Sequence, residues 1–451
     1  MPTQDPGIRK VIWSEVLPWL LLFRVFRIAR RVRLLLLATA AIVVTAGGWA
    51  IIDALFHGVG GLLPSGSSGG VASLGLDLLV PDRPSLEHWL EHRPTGATLL
   101  DRWPDPIFGT WEQFSRPLIR LVTGQPSLVE MGFWILAGLW AIGVWGYFGG
   151  AICRTAALAL ARDEYITLRD CLAHARKKWL SHLGAPLVPL VPVVLAVVGL
   201  GVMGLLLRTD WGALILALMW PIVLIVGLGV VLLGVGVLLG WPLMWGTLAT
   251  ENADAFDAVS RSFSYLFQRP LNYLFYAIVA GLFGIICWLV VANIAAATVF
   301  VSAWAVDWGA DLARWTTATL PVRRNVESML VAAGKLTAVG FAASNLLGFW
   351  KALVKLVAMA FLYSYFWTSA CAIYLLLRRD VDATEIEEIY LGDRPTVSLP
   401  EIKPPEAKAP APPPVTARAV GVESPAAPPP PPPVQKAAST TEGDTGKPAA
   451  T

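Results

Sequence analysis

Long apolar runs without charged residues constrain this chain more than any other feature of its sequence. Residues 187–207 carry no charge, and the uncharged run at 211–250 is about twice as long as one membrane-spanning helix requires. Hydrophobic residues make up 55% of the chain and charged residues only 15%, against about 25% in an average soluble domain. Because a water-exposed surface is difficult to build from this composition, the sequence predicts an all-α polytopic transmembrane bundle.

About six runs are long enough to cross a bilayer as helices, since one helical span needs about 20 residues. Between the first and second runs, residues 57–127 are predicted to form a non-cytoplasmic loop with short helices, and residues 128–380 to form the membrane bundle. The run at 211–250 contains two prolines, so it could cross once or twice; we interpret it as one kinked or tilted span. The predicted spans are residues 34–56, 128–150, 187–207, 211–250, 274–301 and 356–377.

Lys and Arg near the span ends predict the orientation, because basic loops are retained on the cytoplasmic side during insertion. Both termini are therefore predicted to be cytoplasmic, in a bacterial inner membrane. The net charge of +3 is too small to favour nucleic acid as a partner, which leaves the lipid bilayer. The basic residues before the first span are Arg9, Lys10, Arg24, Arg27, Arg30, Arg31 and Arg33, and those between the second and third are Arg154, Arg162, Arg169, Arg176, Lys177 and Lys178.

Residues 1–33 are predicted to contain a basic helix at the membrane interface. At helical spacing, Arg24, Arg27 and Arg31 fall on one side, while apolar residues such as Phe26 fall on another. The arginines are interpreted as a topology anchor, with binding of anionic lipid as the alternative.

A short acidic pattern occurs twice and suggests an internal repeat. Glu164 and Asp170 recur as Glu251 and Asp257, 87 residues further along the chain. Each pair is followed by a stretch of mixed polarity and then by an apolar run, so duplication and chance both remain open. The two predicted interfacial amphipathic helices cover residues 163–182 and 251–268.

Two separate stretches carry a resemblance to a known group of proteins. One precedes the fifth span and the other closes the sixth, and together they bracket a region of roughly residues 130 to 380. The chain resembles bacterial multi-span membrane proteins related to the membrane domain found beside glycerophosphodiester phosphodiesterases. This resemblance implies a fold and no particular reaction. The residues concerned are Glu251, Ala255, Ala258, Ser260 and Ser262, and the run Tyr374 to Arg379.

Residues 391–451 differ in composition from everything before them. They are rich in Pro and Ala, with six consecutive prolines at 428–433. Such a segment cannot bury enough apolar surface to offset its chain entropy, so it is predicted to be a disordered cytoplasmic tail with polyproline character. A cytoplasmic protein with an aromatic groove could bind it; a solvated tail without a partner is the alternative.

The pattern at His88, Glu91 and His92 is the one candidate metal site in the sequence. Two His side chains four residues apart share a helix face, as in the inverted zincins, and Glu91 could activate a metal-bound water. Pro84 and Pro94 restrict this helix to about two turns, so a solvated amphipathic helix is the competing interpretation. No cofactor is predicted.

These observations favour a non-enzymatic membrane protein that acts as a scaffold or regulator. Two alternatives remain open. A small-solute transporter is suggested by the possible repeat and by the proline-containing run at 211–250, since broken helices form binding sites in many transporters. A metal-dependent membrane hydrolase would use His88, Glu91 and His92.

Overall fold

A computed structural model describes residues 17–57, 107–123, 127–316 and 338–391, and within these ranges the chain is helical and contains no strand. The all-α prediction is confirmed. Two short 3₁₀ turns, at Pro18–Leu20 and Leu205–Arg208, complete the regular structure. The α-helices are α1 (Leu21–Ala29), α2 (Val32–His57), α3 (Phe108–Thr123), α4 (Leu128–Arg162), α5 (Leu168–Leu187), α6 (Leu190–Gly204), α7 (Asp210–Thr250), α8 (Ala255–Gln268), α9 (Pro270–Thr316) and α10 (Ala338–Asp382).

Six helical segments in the described residues are long and apolar enough to cross a membrane, so the chain is an integral membrane protein. The third combines α5 and α6, because Val188 and Pro189 keep helical dihedral angles between them. The expected interfacial helix at 163–182 therefore runs directly into a span. The six segments are Val32–Phe56, Leu128–Arg162, Leu168–Arg208, Asp210–Thr250, Pro270–Gly309 and Val339–Asp382.

Helix α7 is continuous from Asp210 to Thr250 despite its two prolines. At 1.5 Å per residue its 41 residues extend about 60 Å, roughly twice the thickness of a bilayer's hydrocarbon core. Its first half exposes apolar side chains such as Leu218 and Ile225, whereas Met244 and Leu248 in its second half are fully buried. The run therefore forms one helix, and its single crossing of the membrane stays a prediction.

Two prolines inside helices create contacts between helices. A proline lacks the N–H that would bind the carbonyl four residues earlier. For Pro242 that carbonyl belongs to Leu238, and it accepts a hydrogen bond of 2.7 Å from the indole N–H of Trp111. For Pro186 it belongs to His182, and Trp245 donates to it at 3.0 Å. Each freed carbonyl thus fixes a tryptophan from another helix.

The acidic repeat has a structural counterpart at two helix starts. The Thr167 side chain caps α5 by accepting from the Asp170 N–H, and Asp254 caps α8 by accepting from the Asp257 N–H. The capping residues are offset by the same 87 positions as the acidic pattern. The oxygen of the capping side chain accepts from a free N–H group of the first turn, and the acid three residues later interacts favourably with the helix dipole. The repeated pattern therefore encodes the same local structure twice.

Helix α10 is central to the bundle and contacts α2, α4, α7 and α9. Its second half is buried almost without interruption, from Met359 to Leu377. A cluster of aromatic rings fills the space around it, with Trp367 stacked on Trp245 at 4.2 Å between ring centroids. The other rings that contact this cluster are Phe114, Trp145, Trp241, Tyr363 and Phe366.

Candidate functional site at the polar end

Charged and polar groups gather where several helices begin or end, and we call this region the polar end. It comprises the corner between α1 and α2, the loop at 163–167, the loop at 251–254 and the segment 383–391. Contacts connect these parts: Lys178 donates to the carbonyls of Asn252 and Ala253, and Arg162 donates to the carbonyl of Glu387 at 3.0 Å. These contacts place charged groups from α4 and α5 at one end of the bundle.

Glu251, the C-cap residue of α7, lies at the centre of an ion-pair group. Its carboxylate contacts Arg261 at 2.7 Å and Arg378 at 3.3 Å, and accepts a hydrogen bond of 2.7 Å from the Tyr374 hydroxyl. Only 15% of the Glu251 side chain is exposed, so its partners must compensate for the loss of hydration of the carboxylate. The structure therefore brings together the two sequence stretches that carry the resemblance described above.

Two further carboxylates at the polar end accept from tyrosines. The Tyr265 hydroxyl donates to Asp382, and Asp380 accepts from Tyr276 at 2.7 Å and from Asn272 at 2.9 Å. Burial, followed by the hydrogen bond to Asp382 and its negative charge, raises the pKa of Tyr265 to about 12. At neutral pH Tyr265 is therefore a hydrogen-bond donor and not a base. These contacts fix α8 and α9 against the end of α10.

Arg154 is a buried cation within the apolar run of α4, with only 5% of its surface exposed. Its guanidinium donates to the carbonyl of Ala249 at 2.8 Å and to that of Tyr390 at 2.7 Å. The Ala249 carbonyl is in the last turn of α7, where no further helical N–H is available, so Arg154 caps that helix and complements its dipole.

Segment 383–391, which we call the strap, follows α10 and lies across the ends of α4 and α7. Its Tyr390 N–H donates to the carbonyl of Thr250 at 2.9 Å, and its Ile389 side chain is buried. Arg378 donates to the carbonyl of Glu388 at 2.6 Å. Backbone groups of the strap thus bind the ends of α7 and α10, immediately before the proline-rich tail begins in the sequence.

The corner between α1 and α2 is attached to the bundle as well. Leu22, Val25 and Ile28 of α1 are fully buried, and the Ala29 carbonyl accepts from Ser364 of α10 at 2.8 Å. The apolar side of this basic helix therefore packs on protein. Its Arg24 donates to the carbonyls of Ala159 and Leu160 at 3.4 and 3.3 Å, in the last turn of α4.

In comparisons with protein-family models, curated proteins and solved structures, no match to this chain was found.

The predicted metal site at His88, Glu91 and His92 lies outside the described residues. Among the residues that the structure describes, no group of three His, Cys, Asp or Glu side chains is arranged to hold a metal ion. Helix α7, the candidate broken helix of a transporter, has no unwound stretch. A cleft beside Gln113, Phe114, Trp145 and Tyr363 has a volume of about 10 Å³, which is room for roughly one water molecule.

Sequence reasoning missed the roles of Arg154 and the strap. An arginine inside an apolar run is itself a signal, because a charge there needs a buried partner. The positive-inside argument instead counts Arg154 with the basic loop that sets orientation. The strap fell between the predicted bundle, which ended at 380, and the predicted tail, which began at 391, and its contacts are made by backbone carbonyls that carry no residue-specific pattern.

Proposed function

We propose that this chain is a scaffold of the bacterial inner membrane, in which a helical bundle anchors a cytoplasmic tail that binds another protein. The observation that carries the proposal is the attachment of the strap to the bundle. Arg154, Arg162 and Arg378 all bind its backbone carbonyls. A tail tethered at such a site stays close to the membrane, which raises its effective concentration for a partner there.

The proposed orientation places both termini in the cytoplasm. Six crossings return the chain to the side on which it started. The start of the first apolar helix and the end of the last both belong to the polar end, through the α1–α2 corner and the strap. The basic residues concentrated there favour the cytoplasmic side under the positive-inside rule.

The proposed partner contacts the run of prolines at 428–433. Proline-rich segments bind grooves lined by aromatic side chains, and their preformed extended conformation reduces the entropy lost on binding. We also propose that the chain shares its membrane fold with the domain found beside glycerophosphodiester phosphodiesterases; the contact between Glu251 and Tyr374 supports treating the two resembling stretches as one unit.

A cross-linking experiment in native membranes tests the scaffold. The full chain carries an affinity tag and is compared with a variant in which residues 428–433 are all serine, and with a control in which residues 437–442 are shuffled. We expect a protein that cross-links to the wild type and to the control, and at least fivefold less to the serine variant. Recovery of the same proteins by all three chains, or of none, would contradict the proposal.

The orientation is tested by labelling single cysteines with a membrane-impermeant maleimide. The four native cysteines are all buried, so background labelling of the folded protein should be low. We expect Ser73→Cys to react from the outside of intact cells and Ser398→Cys only after permeabilisation. Reaction of Ser398→Cys in intact cells would overturn the proposed orientation.

A further inference from the structure

Four arginines from the α1–α2 corner gather around the loop that follows α4, and we call them the arginine patch. Arg27 contacts the Asp163 carboxylate at 3.0 Å, and Arg24 contacts the same oxygen atom at 3.7 Å. The Arg31 guanidinium lies 3.2 Å from the centre of the Tyr165 ring. Arg33 donates to the carbonyl of Ile166 at 3.0 Å. Each arginine is therefore held in place by protein.

The patch has more positive charge than its carboxylates neutralise. Asp163 is shared by Arg24 and Arg27, and its Oδ1 also accepts from the Tyr165 hydroxyl. That hydrogen bond, together with the nearby Arg27, Arg24 and Arg31, lowers the pKa of Asp163, although partial burial opposes the shift. Even if Glu164 is counted with Asp163, four cations face two anions.

The surplus charge is accessible. The side chains of Arg24 and Arg27 are 40% and 51% exposed, and Arg31 is half-buried. Because the apolar side of α1 is buried on the bundle, the guanidinium groups do not depend on a membrane for their position. A ligand with negative charge can therefore bind a patch that is already formed, with little ordering of side chains required.

An exposed apolar surface begins directly beside the patch. Val32 and Leu36, at the start of the first apolar helix, are 70% and 57% exposed. Phe23 is also exposed and meets the ring of Phe283 edge to face, at 4.7 Å between centroids. Trp19, whose ring meets that of Phe23 at 5.8 Å between centroids, is of a residue type enriched at the depth of lipid headgroups.

We propose that the arginine patch binds an anionic glycerophospholipid, with the headgroup phosphate on Arg27 and Arg31 and an acyl chain along Val32 and Leu36. Guanidinium groups bind phosphate through paired N–H donors. An adjacent apolar surface favours a ligand that is anionic at one end and apolar at the other, which distinguishes a lipid from free phosphate or a phosphopeptide. The proposal adds a ligand to the membrane bundle and does not depend on the tail having a partner.

Native mass spectrometry of the full chain in detergent tests this site, with phosphatidylglycerol, phosphatidylcholine and inorganic phosphate as separate probes. The test variant is Arg27→Gln with Arg31→Gln. The matched control is Arg176→Gln with Lys177→Gln, which removes the same charge from exposed residues of α5. We expect the wild type to prefer phosphatidylglycerol, the test variant to bind it about 25-fold more weakly, at about fivefold per charge, and the control to match the wild type.

Asp163→Asn provides a second variant that keeps every arginine. It removes the anion that competes with the lipid phosphate, so we expect tighter binding of phosphatidylglycerol than in the wild type. Equal losses in the test and control variants would show general electrostatic attraction and overturn the site. Equal binding of the two lipids, binding of inorganic phosphate as tight as that of lipid, or no gain in Asp163→Asn would overturn it as well.

Discussion

Replacing Arg154 by glutamine should destabilise the bundle more than any equivalent change in an exposed arginine. The Arg154 side chain is buried and binds the last turn of α7 and the strap through at least two carbonyls. Glutamine is shorter and neutral, so it can reach one of these acceptors at most. The other carbonyl would remain buried without a donor, or would be exposed by movement of the strap.

The magnitude follows from the two hydrogen bonds. A hydrogen bond to a charged group contributes about 1.5 to 3 kcal/mol, and a buried group left without a partner costs a similar amount. Loss of one bond and replacement of the other by a neutral one should lower the free energy of unfolding by about 2 to 4 kcal/mol. Arg162→Gln is the matched control, because Arg162 is exposed and binds the strap through the carbonyl of Glu387. It should cost less than about 1 kcal/mol.

Unfolding by SDS in mixed micelles, followed by tryptophan fluorescence, measures both variants. The chain has 20 tryptophans, several of them in the stacked core, so the signal should change strongly on unfolding. Protease cleavage within the strap gives a second measurement and should become faster in Arg154→Gln. A loss below about 1 kcal/mol for Arg154→Gln, or equal losses in both variants, would refute the assignment of Arg154 as the link between α7 and the strap.

Two further predictions concern packing and pH. Gly149→Ala should lower the free energy of unfolding by about 1 to 3 kcal/mol, because its Cβ would lie 2.9 Å from Trp245 and 3.0 Å from Trp367. Gly143→Ala is the control: a Cβ at this position of the same helix has nothing within 4 Å, so the change should be neutral or slightly stabilising. Equal effects of the two substitutions would contradict the packing argument. The raised pKa of Tyr265 contributes stability that is complete below about pH 10 and lost towards pH 12, since the unfolded chain releases the proton first. Between about pH 10 and pH 12 the free energy of unfolding should therefore fall more steeply with pH for the wild type than for Tyr265→Phe. Equal slopes would contradict this.

Much of the membrane architecture could be predicted because each span is encoded locally. An uncharged apolar run is expelled from water whatever its neighbours are, so runs of sufficient length mark the six helices. The caps at Thr167 and Asp254 are local as well, because each side chain accepts from the backbone N–H three residues further along. The metal pattern at His88, Glu91 and His92 remains a prediction.

The contacts of the polar end could not be predicted in the same way. Arg154 binds carbonyls at positions 249 and 390, and backbone acceptors look alike at every position of a sequence. The carbonyls freed by Pro186 and Pro242 are predictable, but the tryptophans that donate to them are not, because either could be reached by any indole that the fold brings near.

The apolar runs by themselves determined that this chain crosses a membrane, and how many helices can do so. Tertiary structure decided which apolar surfaces meet protein and which are left for lipid. Helix α1 shows the physical reason: its amphipathic pattern specifies a side that avoids water, and a bilayer and a protein core satisfy that requirement equally well. Only the packing of Leu22, Val25 and Ile28 on the bundle shows that its apolar side meets protein, and that its arginines are held at the polar end.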